Sequence, residues 1–260
     1  MQVDAFAREV FEGNPAAVCL LPKPVAVAWM QSVASEMNLA ETAFVVRRSP
    51  GLYGLRWFTP AVEVDLCGHA TLASAHVLWE EGLEQDDACL RFETRSGVLG
   101  AARRADWIEL DFPAEPAEPA EPPRRLLEAL RVDPRYVGRN RFDYLVEVDS
   151  EAVLRALAPD MAALRGVEGR GLIVTSRPAE ATFDFVSRFF APAVGIDEDP
   201  VTGSAHCCLG PYWRNRLGRD ALTGYQASAR GGVVRVRVAG DRVQLGGQAV
   251  TVFRTTLTTP

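Results

Sequence analysis

The sequence predicts an α+β fold of two similar lobes, each a set of strands, in part an antiparallel meander, around one long apolar helix. Three observations carry this reading. The segment Arg56-Trp57-Phe58-Thr59-Pro60-Ala61-Val62 returns as Arg188-Phe189-Phe190-Ala191-Pro192-Ala193-Val194, identical at five of seven positions, and duplication at such a spacing marks structurally similar units. Each copy then runs through an acidic stretch to a glycine, Gly68 or Gly203, that opens an apolar helix-like run ending at Trp79 or Trp213. Short segments of strand character surround both runs.

Taken in order, residues 2–7 read as a strand and Gly13-Asn14-Pro15 as a turn. The apolar run 16–21 reads as a second strand. Residues 25–38 carry apolar side chains at helical spacing. Residues 42–46 and 55–58 are β-type runs, and the first glycine-led helix spans about 68–81. Alternating segments at 88–93, 97–103 and 106–112, separated by turn residues, predict an antiparallel meander. The Pro-Ala-Glu repeat of 113–123 is the compositional break, because each proline removes a donor and restricts its predecessor. It is expected to be an exposed polyproline-like connection without regular structure. Beyond it come a helix at 124–131, a strand at 143–148, a helix at 150–157 and strands at 171–175 and 183–190. The second glycine-led helix covers 203–217. A hairpin closes the pattern: 233–238 alternates valine with Arg235 and Arg237, turns at 239–241 and returns through 243–245. The expected division is a lobe of residues 1–112, the connection 113–123, and a lobe of 124–260 whose last strands can return to the first.

Composition bounds the function classes. With 28 basic against 34 acidic residues the net charge is −6, and no basic block exceeds a pair, which argues against nucleic acid and anionic membrane as partners. Apolar runs such as 16–21 are too short to span a bilayer, and no signal peptide is visible at the N-terminus. Five cysteines, an odd number without a CxxC, read as reduced thiols in a cytoplasm.

Three residues stand out for proton chemistry. Glu41 lies where a helix hands over to an apolar strand, between Leu39 and Phe44, where desolvation raises a carboxylate's pKa toward neutrality; a surface or capping carboxylate is the ordinary alternative. His69 follows Gly68 at a helix start, where the helix field disfavours an imidazolium, so a neutral, proton-relaying imidazole is expected, or else a turn cap. Asp199 sits before the second glycine helix start and could equally be a helix N-terminal carboxylate. His76, His206, Cys207 and Cys208 lack the usual metal-ligand spacings. Residues 166–171 lack the context of a dinucleotide loop, and neither a P-loop nor a nucleophile elbow occurs. No cofactor and no metal is therefore expected.

Val3-Asp4-Ala5-Phe6 with Gly13-Asn14-Pro15-Ala16, Asn38-Leu39-Ala40-Glu41-Thr42-Ala43-Phe44, Phe58-Thr59-Pro60 with Cys67-Gly68-His69-Ala70-Thr71, and Asp199-Pro200-Val201-Thr202-Gly203-Ser204-Ala205-His206 occur in this order. Together they resemble the phenazine biosynthesis PhzF-like isomerase family over residues 3 to about 250. The resemblance implies a diaminopimelate epimerase-like fold with the active site in the interlobe cleft, and a cofactor-independent isomerase that shifts a proton between carbons of a small carboxylate-bearing metabolite. It makes Glu41 the acid/base, with His69 and Asp199 assisting the relay or holding substrate. Backbone N–H groups of Gly68, His69, Gly203 and Ser204 would bind anionic oxygen. A homodimer is also implied.

Epimerases of this fold use two cysteines, one per lobe. Cys67 occupies the first position, but Thr202 occupies the second, which disfavours a two-thiol racemase. Two alternatives stay open: an amino- or hydroxy-acid epimerase using Cys67, whose thiol near a helix N-terminus could have a lowered pKa, and a non-catalytic small-acid binding protein on the same fold.

Overall fold

The computed structural model describes residues 1–257. The chain divides into one compact unit of Met1–Phe112 joined by the residues from Gly246 onward, and a second of Pro113–Leu245.

The first unit contains β1 (Gln2–Ala5), β2 (Asn14–Leu21), α1 (Val27–Met37), β3 (Glu41–Ser49), β4 (Leu52–Phe58), β5 (Glu63–Val64), α2 (Gly68–Glu80), β6 (Leu90–Thr94), β7 (Gly97–Arg104) and β8 (Trp107–Pro113). The segment Ala249–Phe253 joins it by pairing antiparallel with β1. From that edge β1, β2, β3, β4, β6, β7 and β8 follow side by side. All neighbours are antiparallel except β2 with β3 and β4 with β6. Parallel neighbours need a long crossover, and α1 and α2 are those crossovers. The Met30, Val33 and Ala34 side chains of α1 pack with Phe44 and Phe58 of the sheet. Helix α2 is buried from His69 to Trp79 except at His76, as a helix apolar on all sides must be. It packs against β1, β2 and β3.

The expected strand 2–7 stops at Ala5 because Phe6 adopts φ 60°, a left-handed conformation that breaks the pleat. Gly13, also left-handed at φ 62°, sits so close to β1 that a Cβ there would lie 2.1 Å from the Ala5 carbonyl oxygen. Only glycine meets both demands.

The second unit holds β9 (Glu118–Pro119), α3 (Arg124–Leu130), β10 (Tyr136–Arg139), β11 (Asp143–Glu147), α4 (Glu151–Ala156), α5 (Met161–Leu164), β12 (Gly171–Ser176) and β13 (Phe185–Ala191). After a 3-10 turn at Pro192–Val194 come β14 (Ile196–Asp199), α6 (Gly203–Leu217), β15 (Ala221–Gln226), β16 (Gly232–Ala239) and β17 (Arg242–Gly247); Ala249–Phe253 is then β18. Here β10, β11, β12, β13, β15 and β16 follow in turn, parallel only at β11 with β12 and at β13 with β15. That is the pattern of strand directions of the first unit. The buried faces of α3, α4 and α5 pack with Tyr144, Val146, Leu172, Val174, Val186 and Phe190, while α6 packs on β15 and β16.

The expectation for residues 113–123 needs correction. The Pro-Ala-Glu segment is not free of regular structure: Glu118–Pro119 pairs with Gly138–Arg139 of β10. The alanines and glutamates between the prolines keep their N–H groups and use them, Ala114 to the Asp241 carbonyl at 2.8 Å, Glu115 to Cys207 at 3.0 Å and Ala120 to Val137 at 3.1 Å. The strands β10, β14 and β15 carry no clear sequence signal either. The acidic β14 is recruited by antiparallel pairing with β13, a tertiary effect that overrides propensity. No helix among the described residues is long and apolar enough to cross a membrane, and all five cysteines are unpaired.

Candidate active site

In the first unit the structure brings together Glu41, Cys67 and His69. Helix α1 ends at Asn38, whose φ of 50° turns the chain into β3, so that Glu41 opens the strand. Its side chain is only 13% exposed. Cys67 is the extended N-cap residue of α2, Gly68 its first residue and His69 its second. The Thr71 hydroxyl donates to the Cys67 carbonyl at 2.6 Å and locks that first turn.

Glu41 Oε2 lies 3.2 Å from His69 Nε2, while Cys67 Sγ lies 3.6 Å from Nδ1 and 4.0 Å from Nε2. The carboxylate oxygen is buried and not aligned as a hydrogen-bond acceptor, so the contact with the ring is a close charge approach rather than a directed bond. Burial alone lowers the imidazole's affinity for a proton, but the flanking Cys67 sulfur and Glu41 carboxylate outweigh it and hold the His69 pKa well above its usual value. Burial pushes the Cys67 thiol up, and Glu41 pushes it further. Two expectations change. The His69 pKa is raised rather than lowered, because the neighbouring Cys67 sulfur and the Glu41 carboxylate 3.2 Å away outweigh burial and the partial charge of a helix end. The Cys67 thiol is raised, not lowered, since the helix terminus does not offset its desolvation.

In the second unit Asp199 closes β14, Thr202 is the N-cap of α6, and Gly203 and the half-buried Ser204 begin the helix. The Thr202 hydroxyl donates to Asp199 Oδ2 at 2.5 Å. Gln226, at the end of β15, binds this cluster on three sides: it accepts from the Thr202 N–H at 2.9 Å and donates to the Asp199 carbonyl at 2.7 Å and to Thr202 Oγ1 at 3.2 Å. Sequence reading missed Gln226, a single amide at the end of a strand that itself carried no signal. His206 Nδ1 lies 2.8 Å from the Thr202 carbonyl. A carbonyl only accepts, so Nδ1 carries the proton; burial pushes the ring's pKa down to about 4, and His206 is a neutral structural group.

Strand register shows how the halves diverged. Thr42 pairs with Phe58 as Leu172 pairs with Phe190, so Glu41 answers to Gly171. Trp57 pairs with Val64 as Phe189 pairs with Asp199, so Asp199 answers to Val64. Counting from the helix-opening glycines, Cys67 answers to Thr202 and Thr71 to His206. The duplicated arginine keeps one task in both halves: Arg56 forks onto Glu63 at 2.7 Å twice, and Arg188 onto Glu198 at 2.8 and 2.9 Å. At Gly171 a Cβ would lie 2.5 Å from the Phe189 ring and 2.9 Å from the Phe190 carbonyl oxygen. The second half thus has no room for a counterpart of Glu41, and each reactive group occurs once.

Among the described residues, Glu41, Cys67 and His69 are also the set of metal-ligand types whose atoms gather within 4.8 Å, but the sulfur lies against the Nδ1 side of the ring and the carboxylate at Nε2, so no single point is within bonding distance of all three. Sequence spacing could not show this, because Glu41 comes from a different element.

The family model for phenazine biosynthesis-like proteins matches residues 3–255. An uncharacterized isomerase of Halalkalibacterium halodurans is 56% identical, with 98% of this chain and 96% of the relative aligned. The crystal structure of a phenazine biosynthesis PhzF family protein from Enterococcus faecalis superposes with a TM-score of 0.91 at 43% identity, covering 96% of this chain and 94% of that one. A predicted epimerase from Pseudomonas aeruginosa shares the fold with a TM-score of 0.76 at 23% identity, covering 100% and 98% of the two chains. With a family model matched over nearly its whole length and the same curled-sheet architecture, this chain belongs to the PhzF-like phenazine biosynthesis-like protein family, whose relatives carry isomerase names.

Proposed function

We propose that the protein is an isomerase that removes a proton from carbon of a small carboxylate-bearing metabolite and returns it elsewhere on the same molecule, without metal or cofactor. The observation that carries this reading is the buried approach of Glu41 Oε2 to His69 Nε2 at 3.2 Å. Glu41, set against a ring whose affinity for a proton is raised, acts first as base; once protonated, it is the acid that delivers the proton to the second carbon. His69 offers a positive charge to the electron-rich intermediate. Both long helices start at Gly68 and Gly203 with no hydrogen bond from the N-cap side chain, which supports a role for the first-turn N–H groups of Gly68, His69, Gly203 and Ser204 in binding anionic oxygen. Asp199 and Thr202, held by Gln226, are the second unit's candidate substrate-binding groups.

An epimerase working through Cys67 requires a thiolate, and burial together with Glu41 opposes one. The matching Thr202 hydroxyl is committed to Asp199. The test of the proposal is turnover of a panel of small unsaturated carboxylic acids in D2O, followed by NMR and mass spectrometry. Solvent deuterium in an isomerised product, lost in Glu41→Gln, is the expected result. Isomerisation with full activity in Glu41→Gln would overturn it. Alkylation of Cys67 that abolishes turnover, together with an inactive Cys67→Ser protein, would favour the epimerase.

A further inference from the structure

Both long helices close their first turn with a side chain. The carbonyl of an N-cap residue ordinarily accepts from the N–H four residues on. Here those bonds are long, Thr71 N–H to the Cys67 carbonyl at 3.2 Å and His206 N–H to the Thr202 carbonyl at 3.4 Å. In each unit the side chain of that same fourth residue supplies the closer donor. The Thr71 hydroxyl reaches the Cys67 carbonyl at 2.6 Å, and His206 Nδ1 reaches the Thr202 carbonyl at 2.8 Å. Threonine and histidine differ in shape, so what the two halves share is the bond itself. The His206 ring is seated for it: its centroid lies 5.9 Å from that of Phe185, and Phe185 stacks on Trp213, whose indole donates to Thr175 at 2.9 Å. Among the described residues the far nitrogen, His206 Nε2, has no hydrogen-bond partner, so the Thr202 carbonyl is the ring's polar anchor.

What this bond controls follows from the planarity of the peptide unit. The Cys67 carbonyl and the Gly68 N–H belong to one trans peptide and point in opposite directions, as do the Thr202 carbonyl and the Gly203 N–H. Fixing the carbonyl fixes the N–H. The constraint matters at these two peptides because a glycine follows each, and glycine tolerates the backbone rotations that a peptide flip requires. A flipped peptide presents a carbonyl oxygen where the helix start offers donors, and so repels an anion. The N-cap side chains do not resist the flip, since neither makes a capping bond into its helix. We propose that Thr71 and His206 are positioning residues, peptide locks that aim the Gly68 and Gly203 N–H groups out of the helix start and hold them ready for an anionic oxygen. A carbonyl that accepts a hydrogen bond also polarises its peptide, which makes the attached N–H the stronger donor. The anion-binding consequence rests on the function proposed above; the lock itself does not.

The test separates the lock from the packing of two buried side chains. Thr71→Ser keeps a hydroxyl, and Thr71→Val removes it while keeping the shape. His206→Asn keeps a donor at the place of Nδ1, and His206→Leu removes it. Residual dipolar couplings of the Gly68 and Gly203 N–H groups are measured in the 15N-labelled full-length protein without ligand. They should match the parent in Thr71→Ser and in His206→Asn, even though the latter empties space beside Phe185 and lowers the melting temperature. The Gly68 coupling should depart from the parent in Thr71→Val, and the Gly203 coupling in His206→Leu. Crotonate, a small unsaturated carboxylate, is then titrated in while the same two amide signals are followed. Its affinity should drop roughly ten- to a hundredfold in Thr71→Val and in His206→Leu, the range for a lost hydrogen bond to a charged group, and should be retained in the serine and asparagine variants. Parent-like couplings in both Thr71→Val and His206→Leu would overturn the lock. Altered couplings with unaltered crotonate affinity, or a parent protein that does not bind crotonate, would overturn the anion-binding consequence and leave the lock standing. Should His206→Leu fold poorly, the Thr71 pair gives the same answer in the first unit. Neither measurement involves turnover or deuterium exchange, so the lock and the isomerase reading fail or stand separately.

Discussion

Glu41 and His69 derive their character from each other. With the Cys67 sulfur and the Glu41 carboxylate against the ring, the latter at 3.2 Å, the His69 pKa is held above its usual value, and Glu41→Gln removes part of that support. The His69 pKa should then fall, read as the loss of the imidazolium 15N signature near pH 7 in labelled, EDTA-treated protein. The sign follows from linkage: a group whose folded pKa is raised stabilises fully below its unfolded value near 6.5 and loses that stabilisation as pH climbs through the folded value. On activity, Glu41→Gln should cost roughly 10²–10⁴-fold in turnover, the range for losing a general acid or base. In the second unit, Thr202→Val keeps the shape but removes the hydroxyl that bonds Asp199 and Gln226. Stranding those partners should cost about 1–3 kcal/mol, measurable by urea denaturation.

At the scale of elements, the parallel pairs at β2 with β3 and at β12 with β11 set where the chemistry can be placed. Strand β3 opens with a carboxylate, whereas its counterpart β12 opens with Gly171 under the Phe189 ring. Gly171→Ala should destabilise by about 1–3 kcal/mol, as overpacking does. If thermal melting of Gly171→Ala matched the parent, the tight packing assigned to that corner would be wrong. The duplicated arginines differ in consequence. Arg188 is only 12% exposed and, besides Glu198, donates to the Leu154 and Leu157 carbonyls at 3.1 and 2.8 Å, tying α4 to the sheet. Arg56 is 36% exposed, and among the described residues its side chain donates to Glu63. Arg188→Met should therefore cost about 3–5 kcal/mol, the range for breaking a buried pair, and Arg56→Met clearly less.

For the molecule as a whole, acid stability depends on a few held carboxylates. Glu63 is lowered first by its hydrogen bonds from Arg56, Glu84 by the Tyr53 hydroxyl and Glu151 by the Ala179 N–H. Depressed folded pKa values stabilise above the unfolded value near 4.5 and fade as pH falls through the folded ones. Urea midpoints should therefore hold from pH 7 to pH 5 and drop below about pH 4.5. The drop should be shallower in Arg56→Met, where Glu63 has lost its first-named support. Assembly into a homodimer remains our proposal for the solution state; light scattering at a mass near twice 28.4 kDa is the result that supports it.

The doubled motif and the two glycine-led helices by themselves marked two similar lobes, each built on a long buried helix, because both signals are local: a repeat of seven residues, and an apolar run too hydrophobic to lie on a surface. The strands β10, β14 and β15 were not legible, since their pairing comes from neighbours distant in sequence. The sequence also named Glu41, Cys67 and His69, Asp199 and Thr202 one at a time. Only the tertiary structure decided their protonation and company, because charge and burial act through space. It placed Glu41 beside His69, raised the pKa of the imidazole expected to be neutral, raised the thiol expected to be lowered, added Gln226, and left no space at Gly171 for a second Glu41.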